Sequence, residues 1–377
     1  MKEIIRNLIR NSDEYAIPYD TFIEQALYHP AHGYYTKEHE VFGKEGDFFT
    51  ASTTGSVFAE VMAHYFIRAA NILQLPLNIL ELGGGNGRFA KQVLATLEKY
   101  EVERVNYIFI EKNLYSREKV QQVVPKQWGF QSYQSIHAFN EDNIHFEGIV
   151  FSNEFLDAQP VSVVVNRGDL LKEIWVTLDE SGEFVEVERK CSQQLLEWIE
   201  KYQINLANNQ KIEVPLYMEP ILNNISGVVK KGLIITFDYG YQSEEIKHPS
   251  RKDGSLRGYD HHQLKPNVLK NVGNMDITHH VLWEPWIEIG HEKDIKTLSL
   301  LNQSRFLQDY GRILDYLGTN DVNHPFSPEA KRNRTIMTLI NGEWMGNMLD
   351  VCIQTKGVND SLTNKFIQKY EKERSRT

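Results

Sequence analysis

The chain has 377 residues, of which 41% are hydrophobic and 24% charged, and it carries a formal net charge of −10. This length and balance suit a large folded core and exclude a wholly disordered chain. The acidic net charge argues against nucleic acid as the main partner, because phosphate binding requires a basic face.

The cysteines and the first residues of the chain indicate the cellular location of the protein. Cys191 and Cys352 lie far apart and outside any metal-ligand spacing, which indicates a reducing compartment. No apolar run reaches the roughly 18 to 20 residues that a membrane span requires. Residues 1–10 have helical spacing without the apolar core of a signal peptide, and the acidic Glu3 and Asp13 argue against a transit peptide. We therefore predict a first helix and a cytoplasmic protein with no membrane partner.

Helical patterns dominate the first 75 residues. Pro18 can begin a helix whose apolar side chains fall on one side, and residues 57–73 repeat apolar side chains every three or four positions. Between them, residues 31–50 are rich in Gly, His and aromatics and are predicted as loop. We assign residues 1–76 to an N-terminal helical extension.

From Leu77 onward, short apolar runs alternate with helical patterns, which is typical of βαβ units and a parallel sheet. Parallel strands covered on both faces form short continuous apolar runs of this kind. The predicted strands are 78–82, 105–110, 148–152 and 233–238, with helices at 88–100 and 114–124. The sequence therefore predicts an α/β fold with a doubly wound, Rossmann-like sheet, built from residues 77–160 and 228–377.

An insertion at 161–227 separates the two parts of this core. Residues 161–165 and 170–178 form a hairpin pattern, a strand is predicted at 184–187, and a helix at 193–202. We assign this insertion to substrate binding, because the core loops hold the cofactor in such folds.

The remaining segments of the second half are predicted as follows. Residues 240–273 are predicted as loop, and 298–317 as helix. Residues 335–339 and 348–354 are predicted as an edge hairpin.

A glycine loop carries the strongest functional signal. Glu81 ends a predicted strand, and Gly83, Gly85 and Gly87 follow before a helix begins. Glycines let the backbone approach a ligand, and the free N–H groups of a helix start favour polar or negative groups. Glu111 ends the next strand about 24 residues after Gly87, a spacing typical of a carboxylate that accepts hydrogen bonds from ribose hydroxyls.

The loop also discriminates between nucleotides. A dinucleotide fingerprint requires glycine at the position that Arg88 occupies. A carboxylate at Glu81 suits a ligand with cationic or hydroxyl groups and repels a pyrophosphate. This favours S-adenosyl-L-methionine as the cofactor over NAD, and a methyltransferase over a nicotinamide dehydrogenase.

Candidate catalytic residues follow another strand. Asn153, Glu154 and Asp157 begin at its carboxyl end, where ligands of open α/β sheets bind. Glu154 could hold a guanidinium group in a bidentate pair while Asp157 shares the charge. Alternatively, Asn153 and Asp157 cap the following turn. Asp238 ends a further strand and could line the same cleft or cap a loop.

Histidine pairs and tryptophans lie further along the chain. The pairs at 261–262 and 279–280 match no metal-ligand motif, and adjacent side chains in a strand point to opposite faces. No metal is predicted. Trp283 and Trp286 are predicted as core residues.

Short motifs spread over most of the chain resemble the MidA-like family of class I methyltransferases, which is related to the mitochondrial assembly factor that methylates an arginine in a complex I subunit. They comprise Leu27-Tyr28-His29-Pro30, His32-Gly33-Tyr34-Tyr35, Gly46-Asp47-Phe48 with Thr50, Glu81 to Gly87, Asn153 to Asp157 with Pro160-Val161, Asp238-Tyr239-Gly240-Tyr241, Leu256-Arg257-Gly258-Tyr259, Asp276-Ile277-Thr278 and His280-Val281.

The resemblance implies a Rossmann-like core with a helical extension and an inserted substrate region. It further implies that S-adenosyl-L-methionine contacts the loop from Glu81 to Gly87, and that Glu111 holds its ribose. Gly46, Asp47, Phe48 and Thr50 are implied to fold over the cofactor.

The chain departs from the family pattern at two places, and each departure removes a carboxylate. Ala51-Ser52-Thr53 stands where the family usually has Ser-Pro-Glu, and Leu282-Trp283 stands where it often has Asp-Phe. The leading hypothesis is a methyltransferase that modifies a nitrogen of a protein side chain, arginine by resemblance, and so has a protein partner. The alternatives are a small-molecule methyltransferase and a non-catalytic assembly protein that binds the cofactor.

Overall fold

The computed structural model describes residues 1–36, 56–102, 104–124, 128–142, 145–168, 170–246, 248–260, 263–318, 324, 326–341 and 346–374. Their α-helices are α1 (Lys2–Arg10), α2 (Tyr19–Tyr28), α3 (Ser56–Leu73), α4 (Arg88–Lys99), α5 (Leu114–Val123), α6 (Ile136–Glu141), α7 (Gln193–Lys201), α8 (Met218–Val228), α9 (Ser243–Ile246), α10 (Trp283–Glu292), α11 (Gln303–Asp309), α12 (Pro328–Ile340) and α13 (Asp360–Arg374). Among these described helices, none combines the length and apolar character needed to cross a membrane.

The strands of the same residues are β1 (Ala16–Pro18), β2 (Ile79–Leu82), β3 (Asn106–Ile110), β4 (Gly129–Tyr133), β5 (Phe146–Asn153), β6 (Ser162–Arg167), β7 (Leu170–Leu178), β8 (Phe184–Lys190), β9 (Lys211–Val214), β10 (Val229–Asp238), β11 (Gly240–Tyr241), β12 (Arg257–Asp260), β13 (Gln263–Lys265), β14 (Asp276–Thr278), β15 (Val281–Leu282), β16 (Lys296–Asn302) and β17 (Asp350–Lys356).

The chain divides into two compact units, and each unit draws on several stretches of sequence. The first unit takes the described residues within 1–48, 155–222 and 239–289. The second unit takes those within 49–154, 223–238 and 290–377.

A seven-stranded sheet forms the second unit, in the order β16-β17-β10-β5-β2-β3-β4. The strands β10, β5, β2, β3 and β4 pair in parallel, whereas β17 is antiparallel to both β10 and β16. The chain passes from β2 through β3 to β4 on one side, and then returns to β5 on the other side of β2. This arrangement confirms the predicted doubly wound α/β fold, and its topological switch point lies between β2 and β5.

Aromatic packing explains why α3 belongs to this sheet unit and not to the predicted N-terminal extension. The ring of Phe58 in α3 meets Phe237 of β10 edge-on, with centroids 5.5 Å apart, and Phe66 meets Phe151 of β5 at 5.7 Å. Phe89 of α4 stacks on the same Phe151 at 4.6 Å. Burial of these large apolar surfaces is the main contribution to the stability of such a core.

The first unit is built on antiparallel pairing. The predicted hairpin is confirmed, because β6 pairs with β7, and β8, β9 and β1 extend the same sheet. Ile5 and Ile9 of α1 are fully buried in its core together with Ile277 of β14. A second predicted domain boundary also differs from the observed one. Residues 239–289 were assigned to the core, but they group with the insertion and not with the large sheet.

Three predictions in the second half of the chain are wrong. Residues 240–273 are not simply loop, because β12 pairs with both β13 and β14. The predicted helix at 298–317 starts instead as β16, and α11 begins only after Asn302, whose side chain accepts a hydrogen bond from the Arg305 N–H. Residues 335–339 lie in α12, which is capped by Ser327, and β17 is an inner strand rather than an edge strand.

Candidate active site

The glycine loop lies at the topological switch point, between the end of β2 and the start of α4. Gly83, Gly85 and Gly87 have φ values of 68°, 56° and 71°, in the left-handed region that favours glycine. The N–H groups of Gly83 and Gly84 donate to the carbonyl oxygen of Ile110 at 2.9 and 3.2 Å, which ties the loop to the end of β3. A backbone of this shape leaves the N-terminus of α4 open to a ligand.

Glu111 is held against this loop. Its Oε2 accepts a hydrogen bond from the Gly85 N–H at 2.8 Å, and its Oε1 accepts one from the Asn113 N–H at 2.8 Å. Burial raises the pKa of Glu111, and these two backbone hydrogen bonds oppose the shift. The Lys112 N–H is a third backbone donor to this carboxylate. A carboxylate has about four lone-pair positions, so Glu111 can keep these three bonds and accept one more hydrogen bond from a ribose hydroxyl. The ribose role of Glu111 stays a prediction.

Glu81 is a buried acid. Glu81 is only 4% exposed, and the hydroxyl of Tyr107 donates to its Oε2 at 2.8 Å. Burial raises the pKa of Glu81 to about 8, against the hydrogen bond from Tyr107, which lowers it. Without a ligand the group is therefore mostly protonated at neutral pH. A cation bound beside it would favour the charged form, because opposite charges lower the pKa of a carboxyl group.

Asn153 and Glu154 lie at the same edge of the sheet, since Ser152 of β5 pairs with Leu82 of β2. Glu154 has φ +51°, a conformation that costs a non-glycine residue about 1–3 kcal/mol and that occurs preferentially at functional sites. Its N–H donates to the Phe237 carbonyl oxygen at 2.9 Å. The Asn153 side chain donates to Oε1 of Glu154 at 3.0 Å, while its own Oδ1 is buried without a partner.

Comparisons with known proteins agree with this arrangement. Residues 61–300 match the family of S-adenosyl-L-methionine-dependent methyltransferases. The chain belongs to this family. A protein from Burkholderia thailandensis, solved with bound S-adenosylhomocysteine, superimposes with a TM-score of 0.82 at 25% identity, over 95% of this chain and 92% of that one. The cofactor of this methyltransferase is thus S-adenosyl-L-methionine, as predicted.

The related sequences carry a more specific name. The mitochondrial protein arginine methyltransferase NDUFAF7 of Rattus norvegicus is 20% identical over 318 residues, which cover 77% of this chain and 70% of the relative. Its Caenorhabditis elegans homologue is 25% identical over 275 residues, which cover 66% of this chain and 61% of the relative. The Drosophila melanogaster homologue is 32% identical over 87 residues, only 20% of its length. These relatives confirm the resemblance to MidA-like methyltransferases.

The remaining predicted site residues lie in the first unit or outside the described residues. Asp157 belongs to the first unit, where it is 3% exposed and its carbonyl oxygen accepts the His279 N–H at 3.0 Å. The predicted cofactor-covering residues Gly46, Asp47, Phe48 and Thr50, and the departure at 51–53, lie outside the described residues. Of the second departure, Leu282 and Trp283 are buried in the first unit.

Three of the recognised motifs meet within the first unit. The guanidinium group of Arg257 contacts Nε2 of His280 and lies 5.9 Å from the ring centroid of Tyr239 and 5.8 Å from that of Tyr259. Burial, with the charges of Arg257 and Arg251, lowers the pKa of His280 to about 2, so its ring stays neutral. Among the described residues, no group of three His, Cys, Asp or Glu side chains is placed to hold a metal ion.

Some contacts at the loop were missed by the sequence analysis. Tyr107 was predicted only as a strand residue, and Asn113 was not singled out. A side chain at Gly84 would place its Cβ 2.0 Å from the ring of Phe109. Only the register of β2 against β3 reveals these relationships.

Proposed function

We propose that this methyltransferase transfers the methyl group of S-adenosyl-L-methionine to a nitrogen of a protein side chain, with arginine as the acceptor. The observation that carries the proposal is the strained backbone of Glu154 beside the glycine loop. The name of the relatives, protein arginine methyltransferase, supports the same acceptor.

The chemistry of the transfer explains why a carboxylate is needed there. The sulfonium leaving group is already activated, so the protein chiefly orients the acceptor and excludes water. A guanidinium group is cationic and must lose a proton to become a nucleophile. A carboxylate binds it through paired hydrogen bonds and can take that proton.

Glu154 is suited to this task. The Asn153 amide donates to Oε1 at 3.0 Å and restrains the carboxylate. The role predicted for Asp157, sharing the acceptor's charge, stays a prediction, and a protein is the partner that we propose to supply the acceptor.

The test replaces Glu154 by glutamine and follows two readouts. Tritium transfer from labelled cofactor to lysate proteins should be lost, whereas calorimetry should show cofactor affinity within about twofold of wild type. Glu118→Gln, which neutralises an exposed residue of α5, serves as the matched control and should retain transfer. Full transfer by Glu154→Gln would remove this residue from the mechanism.

Two further expectations rest on sequence alone. The cytoplasmic location stays a prediction, and so does the absence of a nucleic-acid partner, which follows from the net charge of −10.

A further inference from the structure

The acid that precedes the glycines of the loop, Glu81, receives a hydrogen bond from the neighbouring strand. Strand β2 pairs with β3 in parallel, with Ile79 opposite Tyr107 and Glu81 opposite Phe109. Because side chains two residues apart in a strand point to the same face, Tyr107 and Glu81 share one face of the sheet. The Tyr107 hydroxyl donates to Oε2 of Glu81 at 2.8 Å. Tyr107 is fully buried and Glu81 is 4% exposed, so solvent does not compete for this bond.

Few other groups act on the charge of Glu81. Phe109 of β3 and Phe151 of β5 lie opposite it, and the buried residues of α3, α4 and α5 carry no charge at neutral pH. Glu111, which follows β3, is the second titratable group near Glu81, and its negative charge opposes ionisation. Among the residues that the structure describes, the hydroxyl of Tyr107 is therefore the group that favours the charged carboxylate.

The ionised form of Glu81 is more costly without this bond. Burial raises the pKa of Glu81 to about 8, and the hydrogen bond from Tyr107 lowers it. A hydrogen bond to a charged group is about twice as strong as one between neutral groups. Removing the donor should raise this pKa further and leave about tenfold less of the carboxyl group ionised at pH 7. Burial raises the pKa of Tyr107 well above its ordinary value, so Tyr107 stays a donor at neutral pH.

We propose that Tyr107 is a positioning residue for the cofactor, whose hydroxyl orients the Glu81 carboxylate and stabilises the ionised form that pairs with cationic S-adenosyl-L-methionine. Because Tyr107 is fully buried, it acts through Glu81 and not by contact with the ligand. This role concerns the cofactor and not the methyl acceptor, so it goes beyond the proposed function. It rests on the predicted contact between Glu81 and the cofactor, for which the experiment has a separate arm.

The experiment measures the dissociation constant of S-adenosyl-L-methionine by calorimetry, for wild type and Tyr107→Phe, at pH 7 and pH 9. Phenylalanine keeps the ring and removes only the donor. At pH 7 the variant should bind about tenfold more weakly, because less of Glu81 is ionised. At pH 9 the loss should shrink to about twofold, because much of the carboxyl group is then ionised in both proteins. Titration of the cofactor itself cancels in this ratio.

Tyr133→Phe is the matched control. The hydroxyl of Tyr133, in the neighbouring strand β4, also donates to a carboxylate, Oδ2 of Asp142 at 2.9 Å, but in an exposed position. This variant should stay within twofold of wild type at both pH values. An equal loss for Tyr107→Phe at pH 7 and pH 9 would show a merely structural role and overturn the proposal.

The Glu81→Gln background separates the role of Tyr107 from that of Glu81. Glu81→Gln alone should weaken cofactor binding, and adding Tyr107→Phe should then weaken it by less than about twofold, since no carboxylate remains to ionise. A further tenfold loss in that background would contradict the proposed role of Tyr107. Wild-type affinity in Glu81→Gln would instead overturn the contact between Glu81 and the cofactor on which that role rests.

Proton release gives a readout that a damaged fold would not produce. At pH 8 about half of Glu81 is protonated in wild type, whereas about nine-tenths should be protonated in Tyr107→Phe. Binding that ionises the group should therefore release about 0.4 more protons from the variant than from wild type at this pH. Calorimetry in two buffers with different ionisation enthalpies measures the difference. Equal proton counts in the two proteins would refute the effect of Tyr107 on Glu81.

Discussion

Replacing Glu81 by glutamine removes a buried carboxyl group whose pKa is raised from 4.5 to about 8. The folded state therefore binds the proton more tightly than the unfolded chain. The stability that this group contributes is complete below its unfolded pKa and is lost as the pH rises through its folded pKa. At about 1.4 kcal/mol for each pKa unit, the full shift is worth at most about 5 kcal/mol, of which about 2–3 kcal/mol is lost between pH 6 and pH 9.

Urea denaturation of both proteins across this pH range measures the effect. Glutamine can still accept the hydrogen bond from Tyr107 but does not titrate, so the wild type should lose about 2–3 kcal/mol more than Glu81→Gln as the pH rises. The exposed control Glu118→Gln should follow the wild type. Parallel curves for wild type and Glu81→Gln would refute the reasoning, because Glu81 would then not be held neutral by burial.

Cofactor binding provides a second readout of the same group. A cationic ligand beside Glu81 favours the ionised carboxylate, so binding of S-adenosyl-L-methionine at pH 7 should release nearly one proton. Calorimetry in two buffers with different ionisation enthalpies counts that proton. Glu81→Gln should release none and should bind the cofactor more weakly, and an equal proton count in both proteins would show that Glu81 does not respond to the cofactor.

Two further substitutions test the geometry around the loop. In urea denaturation, Glu154→Gly should be about 1 kcal/mol more stable than Glu154→Ala. Both variants lack the carboxylate, but only alanine retains the left-handed strain at φ +51°. Equal stabilities would show that this backbone is not strained. Gly84→Ala should lose about 1–3 kcal/mol, because its Cβ would lie 2.0 Å from Phe109, and Phe109→Leu in the same chain should recover part of that loss. If the two changes simply add, the clash with Phe109 is not the cause.

The sequence predicted the buried part of the sheet well and its margins poorly. Strands such as β2 and β5 are buried on both faces, and their short, mostly apolar runs predicted them. The strand β4 was missed because it lies at the edge of the sheet and is largely exposed or half-buried, so it has no apolar run. In β16, Leu298, Leu300 and the buried Leu301 imitate helical spacing.

The sequence predicts those site residues that are marked by a local sequence pattern. Glycines between a strand and a helix, and an acid at the end of the next strand, can be found without knowing the fold. The protonated state of Glu81 could not be found in this way, because it depends on burial between paired strands and on the hydroxyl of Tyr107 from a neighbouring strand. The unusual backbone of Glu154 likewise has no sequence signal, since glutamate is uncommon in the left-handed region.

The two acids at the switch point share a physical property that links structure to function. Glu81 is held in its neutral form by burial, and Glu154 is held in a backbone conformation that glycine would adopt more readily. A buried acid that must ionise as the pH rises and a strained backbone both cost stability in the protein without a ligand, so neither is explained by folding alone. A cationic cofactor offsets the first cost by favouring the ionised form of Glu81, and the cationic acceptor that we propose would pair with the carboxylate of Glu154. Under the proposed function, the same edge of the sheet would bind two positively charged groups next to each other, as methyl transfer from a sulfonium to a guanidinium requires.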